Sequence, residues 1–349
     1  MTLSITRSWS TASGAMVGHL THDVDAFTVF QHLATLPHVL FLDSARRDAP
    51  DSHTGTIGTL QLGKYSFVAA DPIYSITLPR NTNNLSASVF HCFKTIRKLL
   101  RDLSCPTIPG LPPFQGGIAG LWSYECGFAG LDLSPPTCCE TVTPLASLHV
   151  YDVVFAFDHA TDDGWIISQG VPARGLVARK KQAQQRFESM LALELSPSRA
   201  PVPDAIPQPK ELSSATSTTT PWRHPLPAYP EVRSNFSRDA YVEMVKQGIE
   251  YVRAGDMFQV NLAQQMSLES SVDPVMLYSA ARTCNPAPFA GFFDAGDTII
   301  ASMSPERFLR VTGQSVHMHP IKGTRRVTTS PEANLYAAAD LGTSDKDRA

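Results

Sequence analysis

The chain has 349 residues, of which 43% are hydrophobic and 17% are charged, and its formal net charge is −3 at pH 7. This composition is typical of a globular protein with enough apolar material for a core. The sequence has neither a concentrated basic patch nor an apolar run of about 18 residues, so we expect no nucleic acid and no membrane as a partner.

The N-terminus and the cysteines together predict a cytoplasmic protein. Residues 1–16 are rich in Ser and Thr and lack the apolar centre of a secretory signal, although a short organellar leader is an alternative interpretation. The 6 cysteines include no C-x-x-C pair and no histidine cluster at zinc spacing. Reduced thiols in the cytoplasm are therefore expected.

Short apolar runs in the first half of the chain predict strands, because each run is bounded by turn-forming residues. The predicted strands are residues 39–42, 65–70, 116–124, 148–157 and 165–168. Apolar residues at helical spacing predict one helix at 86–103, with Ser86 as its N-cap, and another at 173–195.

Residues 196–235 are rich in Pro, Ser and Thr and are predicted to form a flexible linker. The linker divides the chain into an N-terminal region, 1–195, and a second region, 236–349. The second region is predicted to contain a helix from Ser237 to Gly255, a strand at 257–266, a helix at 274–282 and hairpins at 289–302 and 307–320. The pattern predicts an α+β fold with large antiparallel sheets and helices outside them.

The segment Pro320-Ile321-Lys322-Gly323-Thr324 is the strongest chemical signal in the sequence. A lysine held by rigid backbone and flanked by small residues can act as an amine nucleophile if its surroundings lower its pKa. The alternative interpretation is a surface lysine in a turn.

Four further segments precede this one in a fixed order. They are Gly116-Gly117-x-x-Gly120, Ala254-Gly255-Asp256-x-Phe258-Gln259-Val260-Asn261, Asn285-Pro286-Ala287-Pro288-Phe289 and Ser304-Pro305-Glu306-Arg307-Phe308. Together with the start of a sixth at residues 344–349, they resemble component I of the anthranilate synthase and aminodeoxychorismate synthase family of chorismate-utilising enzymes. The resemblance runs from about Val39 onward and implies two large antiparallel sheets in a sandwich, of which the C-terminal part is missing.

Lys322 favours the aminodeoxychorismate synthase branch, since anthranilate synthases have a small residue at this position. The resemblance implies that Lys322 attacks C2 of chorismate while the C4 hydroxyl leaves, with Glu306 as the general acid. Ammonia from a glutamine amidotransferase subunit then adds at C4, for p-aminobenzoate and folate synthesis. Gly323 and Thr324 match positions that hold a chorismate carboxylate. An ordinary carboxylate at Glu306 and a simple turn at 323–324 are the alternatives.

The resemblance also implies a tryptophan pocket, in which the ligand is more often a structural occupant in this branch. The matching residues are Ser44, Leu62, Gly63, Lys64, Tyr65, Pro288, Phe289 and Ala290. An ordinarily packed core pocket is the alternative.

Mg²⁺ is expected in the complete family member. Lys346, Asp347 and Arg348 begin a helix that in relatives carries a magnesium-ligating glutamate soon afterwards, beyond Ala349. We therefore expect no metal ligands within this chain, and we do not expect the chain alone to be active. Anthranilate synthase, an isochorismate or salicylate enzyme, and a non-catalytic truncated fragment are the alternative functions.

Overall fold

The computed structural model describes residues 3–45, 62–131, 143–193, 224–318, 320–321, 328 and 330–343. Its strands are β1 (Ile5–Ser10), β2 (Met16–Leu20), β3 (Leu40–Asp43), β4 (Tyr65–Ala69), β5 (Tyr74–Leu78), β6 (Gly117–Trp122), β7 (Ala146–Tyr151), β8 (Val153–Asp158), β9 (Asp163–Ser168), β10 (His224–Pro225), β11 (Arg233–Ser234), β12 (Met266–Ser267), β13 (Phe289–Asp294), β14 (Ile299–Ser304), β15 (Arg310–Thr312) and β16 (Ser315–His317). Its α-helices are α1 (Ala26–Leu33), α2 (Leu85–Asp102), α3 (Leu176–Leu191), α4 (Arg238–Ala254), α5 (Pro274–Cys284) and α6 (Pro331–Thr343), and a 3-10 helix spans Tyr124–Gly130. Every strand pair is antiparallel, which confirms the α+β class.

The described residues form two compact units. The first contains the residues up to 193 together with those from 278 onward, and the second contains residues 224–277. This division differs from the boundaries expected at 195 and 235, because β13 pairs with β3 and so joins the last part of the chain to the first.

Two sheets build the first unit. The larger has eight strands in the order β1-β2-β9-β8-β4-β3-β13-β14, and the smaller has three in the order β5-β7-β6. Buried side chains from both sheets, such as Phe67, Tyr151, Ile167 and Phe293, share one apolar cluster. Burial of each such side chain contributes about 1.5–3 kcal/mol, so this cluster stabilises the packing of the two sheets.

The predicted strand at 148–157 is wrong in one respect, because it is two strands in two different sheets. The break lies at Asp152, between β7 and β8. Its buried carboxylate accepts hydrogen bonds from Arg186 Nε at 3.1 Å and Nη2 at 3.0 Å. Arg186 Nη1 also donates to Asp71 at 2.6 Å. The apolar run hides the break because its residues are buried on both sides of it.

The ends of α4 and the start of α2 follow local capping rules, although the N-cap of α2 is not the predicted residue. Ser237 accepts a hydrogen bond from the Ala240 N–H, and Gly255 ends α4 with φ 83°, both as predicted. Helix α2 is capped by Asn84 instead of the predicted Ser86, whose hydroxyl donates to the Ala129 carbonyl. No helix within the described ranges combines the length and the apolar character needed to cross a bilayer.

The predicted strand at 257–266 is also wrong, since only Met266–Ser267 pairs as a strand there. Gly248 of α4 lies so close to Val260 and Leu262 that an added Cβ would come within 3.2 Å and 3.4 Å of them. Phe258 is 95% exposed. Val260 and Leu262 thus contact the helix through their side chains without a strand ladder, whereas Phe258 faces solvent.

Asp43 ties helix α5 to the end of β3. Its carboxylate is 2% exposed and accepts from Arg282 Nε at 2.5 Å and from the Tyr278 hydroxyl at 3.0 Å. Burial and the nearby Asp43 charge raise the pKa of Tyr278, so its hydroxyl keeps the donated proton. The Arg282 guanidinium lies 4.8 Å from the Phe27 ring centroid, which adds a cation–π contact.

We expect Asp43→Asn to destabilise the first unit by about 3 kcal/mol, because it removes one partner of a buried ion pair and leaves Arg282 uncompensated. Urea unfolding measures the change. The matched control is Glu250→Gln, which breaks the exposed Glu250–Arg253 pair and should leave the midpoint nearly unchanged. Equal midpoints for the two variants would show that the Asp43 pair does not hold the unit together.

His149 is a second polar group in the core. Its ring is 0% exposed, hydrogen-bonds Ser75 Oγ at 2.8 Å and Ser147 Oγ at 3.1 Å, and stacks on His38 at 4.0 Å. Burial, and then the charge of His38, lower the pKa of His149 from 6.5 to about 4, against the opposing effect of Asp294.

This lowered pKa predicts a loss of stability in acid. Below pH 6.5 the unfolded chain binds a proton at His149 that the folded protein excludes until about pH 4. The free energy of unfolding should therefore fall by up to about 3 kcal/mol as the pH drops through this window. Denaturant unfolding of the protein and of His149→Gln measures it, with exposed His22→Gln as the control. The dependence of the unfolding free energy on pH between 6.5 and 4 should become weaker in His149→Gln and stay the same in His22→Gln. An unchanged dependence in His149→Gln would refute the role of His149.

Candidate functional site

The structure brings every residue predicted for the tryptophan pocket to the wall of one cavity of about 470 Å³. These residues are Ser44, Leu62, Gly63, Lys64, Tyr65, Pro288, Phe289 and Ala290. Their convergence follows from strand order. Adjacent β4, β3 and β13 are antiparallel, so the start of β4, the end of β3 and the start of β13 meet at one edge of the sheet. A cavity of this size is in the range that holds small ligands.

Ser44 is held rigidly at this edge. Its hydroxyl donates to the Tyr65 carbonyl at 2.6 Å, and its backbone N–H donates to Ser66 Oγ at 3.0 Å. Ser66 Oγ in turn hydrogen-bonds His159 Nε2 at 2.7 Å. Asp43, which also lines the cavity, is already bound by Arg282 and Tyr278. The polar wall therefore has a defined shape before any ligand enters.

Three cations also line the cavity, and two of them, Arg307 and Arg310, were not predicted as pocket residues. The Arg307 guanidinium lies 4.9 Å from the Phe289 ring centroid, and burial, together with Arg310, lowers its pKa. Lys64 pairs with Asp158 at 3.5 Å. The pKa of Lys64 is raised, mainly by its hydrogen bond to Tyr65 and to a lesser extent by the charge of Asp158. This concentration of positive charge suits a ligand with a carboxylate.

The sequence does not predict these two arginines as pocket residues, because no local pattern indicates that they lie near residues 44 and 62–65. The position of Arg307 depends on the pairing of β14 with β13, which places Ser304 opposite Phe289 and so brings the segment after β14 to this cavity.

Glu306 follows β14 in a turn that Ser304 stabilises. The Ser304 hydroxyl donates to the Glu306 carbonyl at 2.9 Å, and the Glu306 N–H donates to Ser304 Oγ at 3.3 Å. Glu306 Oε1 accepts the Ile321 N–H at 3.3 Å, and the Glu306 side chain is exposed. Ile321 is the residue directly before Lys322 in the sequence.

Lys322, Gly323 and Thr324 themselves lie outside the described residues, as do residues 346–348. The described residues that relate to the predicted chemistry are therefore Glu306 and Ile321. Within the ranges that the structure describes, no group of three or more His, Cys, Asp or Glu side chains could hold a metal ion. We therefore assign no Mg²⁺ ligand and no step that depends on the metal.

The chain is similar in sequence to curated proteins. The chain is 28% identical over 347 residues to aminodeoxychorismate synthase component 1 of Escherichia coli K12, covering 97% of this chain and 66% of that protein. It is also 28% identical over 327 residues to anthranilate synthase component 1 of Pseudomonas aeruginosa, covering 89% and 62%. The Pseudomonas putida anthranilate synthase component 1 is 34% identical over 244 residues, covering 69% and 45%. The chain thus spans about half to two thirds of the curated relatives it matches.

Solved structures show the same fold. Anthranilate synthase component I from Streptococcus pneumoniae matches with a TM-score of 0.57 at 21% identity, covering 86% of this chain and 61% of that one. The isochorismate synthase MenF from Escherichia coli matches with a TM-score of 0.52 at 10% identity, covering 100% and 62%.

A family model described as chorismate binding enzyme matches residues 51–349. This match extends over most of the chain and includes all the segments from Gly116 onward that carried the resemblance. The chain therefore belongs to the chorismate-binding enzyme family.

Proposed function

We propose that this chain carries part of the chorismate-amination site of an aminodeoxychorismate synthase component I. The observation that carries the proposal is the hydrogen bond from the Ile321 N–H to Glu306 Oε1. This hydrogen bond joins Glu306, the proposed acid, to the residue that precedes Lys322, the proposed nucleophile. Glu306 and Lys322 are 16 positions apart in the sequence, and Glu306 contacts the residue that directly precedes Lys322.

The proposed reaction converts chorismate and ammonia to 4-amino-4-deoxychorismate and water. The neutral Lys322 amine forms a bond to C2 as both ring double bonds shift by one position and the C4–O bond breaks, while Glu306 gives a proton to the departing hydroxyl. Ammonia then forms a bond to C4, both double bonds shift back, and the lysine leaves C2 as a neutral amine. The new ammonium gives one proton back to Glu306, which restores the acid. Division of one difficult substitution into two easier ones is the advantage of covalent catalysis.

The remaining groups have supporting roles in this proposal. Gly323 and Thr324 offer a backbone N–H and a hydroxyl to a chorismate carboxylate. A glutamine amidotransferase subunit supplies ammonia, and the product serves p-aminobenzoate and folate synthesis. Mg²⁺, expected in the complete family member, neutralises carboxylate charge when bound.

Anthranilate synthase is the second candidate, because several of the matched relatives carry that name at 28–34% identity. Lys322 is the feature that favours amination at C4, since the resemblance associates a small residue at this position with anthranilate formation. The products differ, so their masses distinguish the two functions.

We further propose that the cavity at the edge of β4, β3 and β13 holds tryptophan as a structural occupant. Phe67, Pro113 and Phe289 supply apolar surface for an indole ring, and the three cations face the carboxylate. The whole cavity lies in the first unit, so binding should stabilise that unit.

The nucleophile is tested by Lys322→Ala in an ammonia-dependent assay with chorismate and Mg²⁺. Because the chain spans 66% of the Escherichia coli relative, the assay uses both the purified chain and a chimera completed with the remaining C-terminal part of that relative. The chimera should form 4-amino-4-deoxychorismate, and Lys322→Ala should reduce the rate at least about hundredfold.

Lys246→Ala, which removes an exposed lysine from α4, is the matched control and should retain full activity. Anthranilate as the product would transfer the assignment to the second candidate. Unchanged turnover in Lys322→Ala would refute the nucleophile, and product from the chain alone would show that its own residues suffice.

Tryptophan binding is tested by Leu42→Trp, because Leu42 lines the cavity yet is partly exposed, so a larger side chain fills the space without disturbing the core. Calorimetric titration with L-tryptophan should show binding to the unmodified protein and at least about tenfold weaker binding to the variant. Leu335→Trp on α6 is the control. Equal affinities for both variants would place tryptophan elsewhere.

A further inference from the structure

Helix α2 has one buried side and one exposed side in the first unit. On its buried side, Val89 and Cys92 pack in an apolar cluster with residues of the smaller sheet. Residues at i, i+4, i+7 and i+11 lie on one stripe of a helix. On the exposed side of α2 this stripe consists of Phe90, Lys94, Arg97 and Arg101.

Large apolar side chains lie on the exposed side of α2. Phe90 is 69% exposed, Phe93 49% and Leu100 52%. Phe93 stacks on Trp122 of β6 with 4.9 Å between the ring centroids, and Trp122 is still 36% exposed. Neighbouring exposed apolar side chains mark interaction sites, whereas single ones need no explanation. We call this surface, with Trp122, the α2 face.

The α2 face is also positively charged. Lys94, Arg97, Lys98 and Arg101 are exposed, and α2 contains no acidic residue before Asp102. Asp102 lies 3.6 Å from Arg101. Lys94, Arg97 and Lys98 form no ion pair within the part of the chain that the structure describes. A surface of this kind attracts an anionic partner.

The residue types of the α2 face suit a lipid surface better than a protein surface. Protein–protein interfaces are depleted of lysine, and a second copy of the chain that docks through the same face would bring like charges together. Helices that lie in the headgroup region of a membrane combine Lys and Arg with Phe, Trp and Leu, which is the combination found here.

The arrangement on the helix supports the same partner. Helical spacing places Phe93 and Leu100 on one flank of the exposed stripe. It places Lys94 and Lys98 toward the other flank. Apolar rings can therefore enter the boundary of the acyl chains while the ammonium groups stay among the headgroups.

We infer that the α2 face binds an anionic lipid surface. Phe90 and the Phe93–Trp122 pair contact the boundary between headgroups and acyl chains, and the cations contact lipid phosphate and carboxylate groups. Apolar residues interrupt these cations along the sequence, so only the folded helix presents them as one basic face. A surface contact needs no spanning segment, and it replaces the expectation of no membrane partner that was drawn from the linear sequence.

Co-sedimentation of the purified chain with large unilamellar vesicles tests the proposal. One set of vesicles is pure phosphatidylcholine, and the other contains about 30% phosphatidylserine. The anionic vesicles should bind the chain at least about tenfold more strongly, since each cation near the surface contributes about a fivefold factor. Binding should weaken as the salt concentration rises from about 0.05 M to about 0.5 M, because exposed charges are screened.

Variants on α2 separate charge from insertion. Lys94→Gln combined with Arg97→Gln should weaken binding to the anionic vesicles at least about tenfold, and Phe90→Ser should weaken it about fivefold. All three side chains are exposed, so the substitutions leave the core intact.

Helix α3 offers matched controls. Lys180→Gln combined with Lys181→Gln removes two exposed cations, and Val177→Ser removes an apolar side chain that is 84% exposed. Neither control should change vesicle binding.

Fluorescence quenching measures contact with the acyl chains. Phosphatidylcholine that is brominated on its acyl chains, included in the anionic vesicles, should quench part of the tryptophan fluorescence. Trp122→Phe keeps an aromatic ring against Phe93 and should remove the quenched part.

Four results would overturn the inference. They are no binding to the phosphatidylserine vesicles at low salt, equal binding to the two compositions, equal losses in the α2 and α3 variants, and quenching that persists in Trp122→Phe. Poly-L-glutamate represents an acidic protein segment. Tighter binding to it than to the vesicles, lost in Lys94→Gln with Arg97→Gln, would assign the α2 face to an acidic protein and would likewise overturn the lipid surface.

Discussion

The buried carboxylate of Asp43 is the constraint on which the arrangement of the first unit depends. Asp43 is 2% exposed, and a buried charge needs partners. Its partners lie on α5, and one of them, Tyr278, is 235 residues away in the sequence. Once α5 is bound to the end of β3, the chain that follows it enters the sheet as β13. The β3–β13 pairing places Ala290 opposite Asp43 and so brings Pro288, Phe289 and Ala290 to the cavity that Ser44 and Tyr65 also line. The first cavity is a consequence of this closure.

The same rule, that buried polar groups need partners, sets the charge that a ligand would meet in this cavity. The carboxylate in its lining, Asp43, is already bound by Arg282 and Tyr278, so an entering ligand meets mainly cations. A cavity with apolar walls and uncommitted positive charge suits a ligand that carries a carboxylate.

Local features of the fold could be predicted where a few neighbouring residues decide the outcome. The cap at Ser237, the left-handed Gly255 and the hairpin of β13 and β14 needed no distant partner. Predictions failed where packing competed with pattern. Residues 148–157 split at Asp152 because Arg186 pairs with its carboxylate, and residues 257–265 pack on α4 because Gly248 leaves room for Val260 and Leu262. Periodicity does not show which surface will cover an apolar side chain.

The sequence by itself determined the family, because the order and the residue types of its motifs can be recognised without any knowledge of contacts. It also predicted the nucleophile and acid candidates, Lys322 and Glu306, and eight of the residues that line the cavity proposed for tryptophan. Only the tertiary structure decided that Arg307 and Arg310 line that cavity and that Glu306 contacts Ile321. Residue chemistry is local and can be read along the chain. The charge and hydrogen bonding of a cavity are sums over distant segments, and the folded chain alone brings these together.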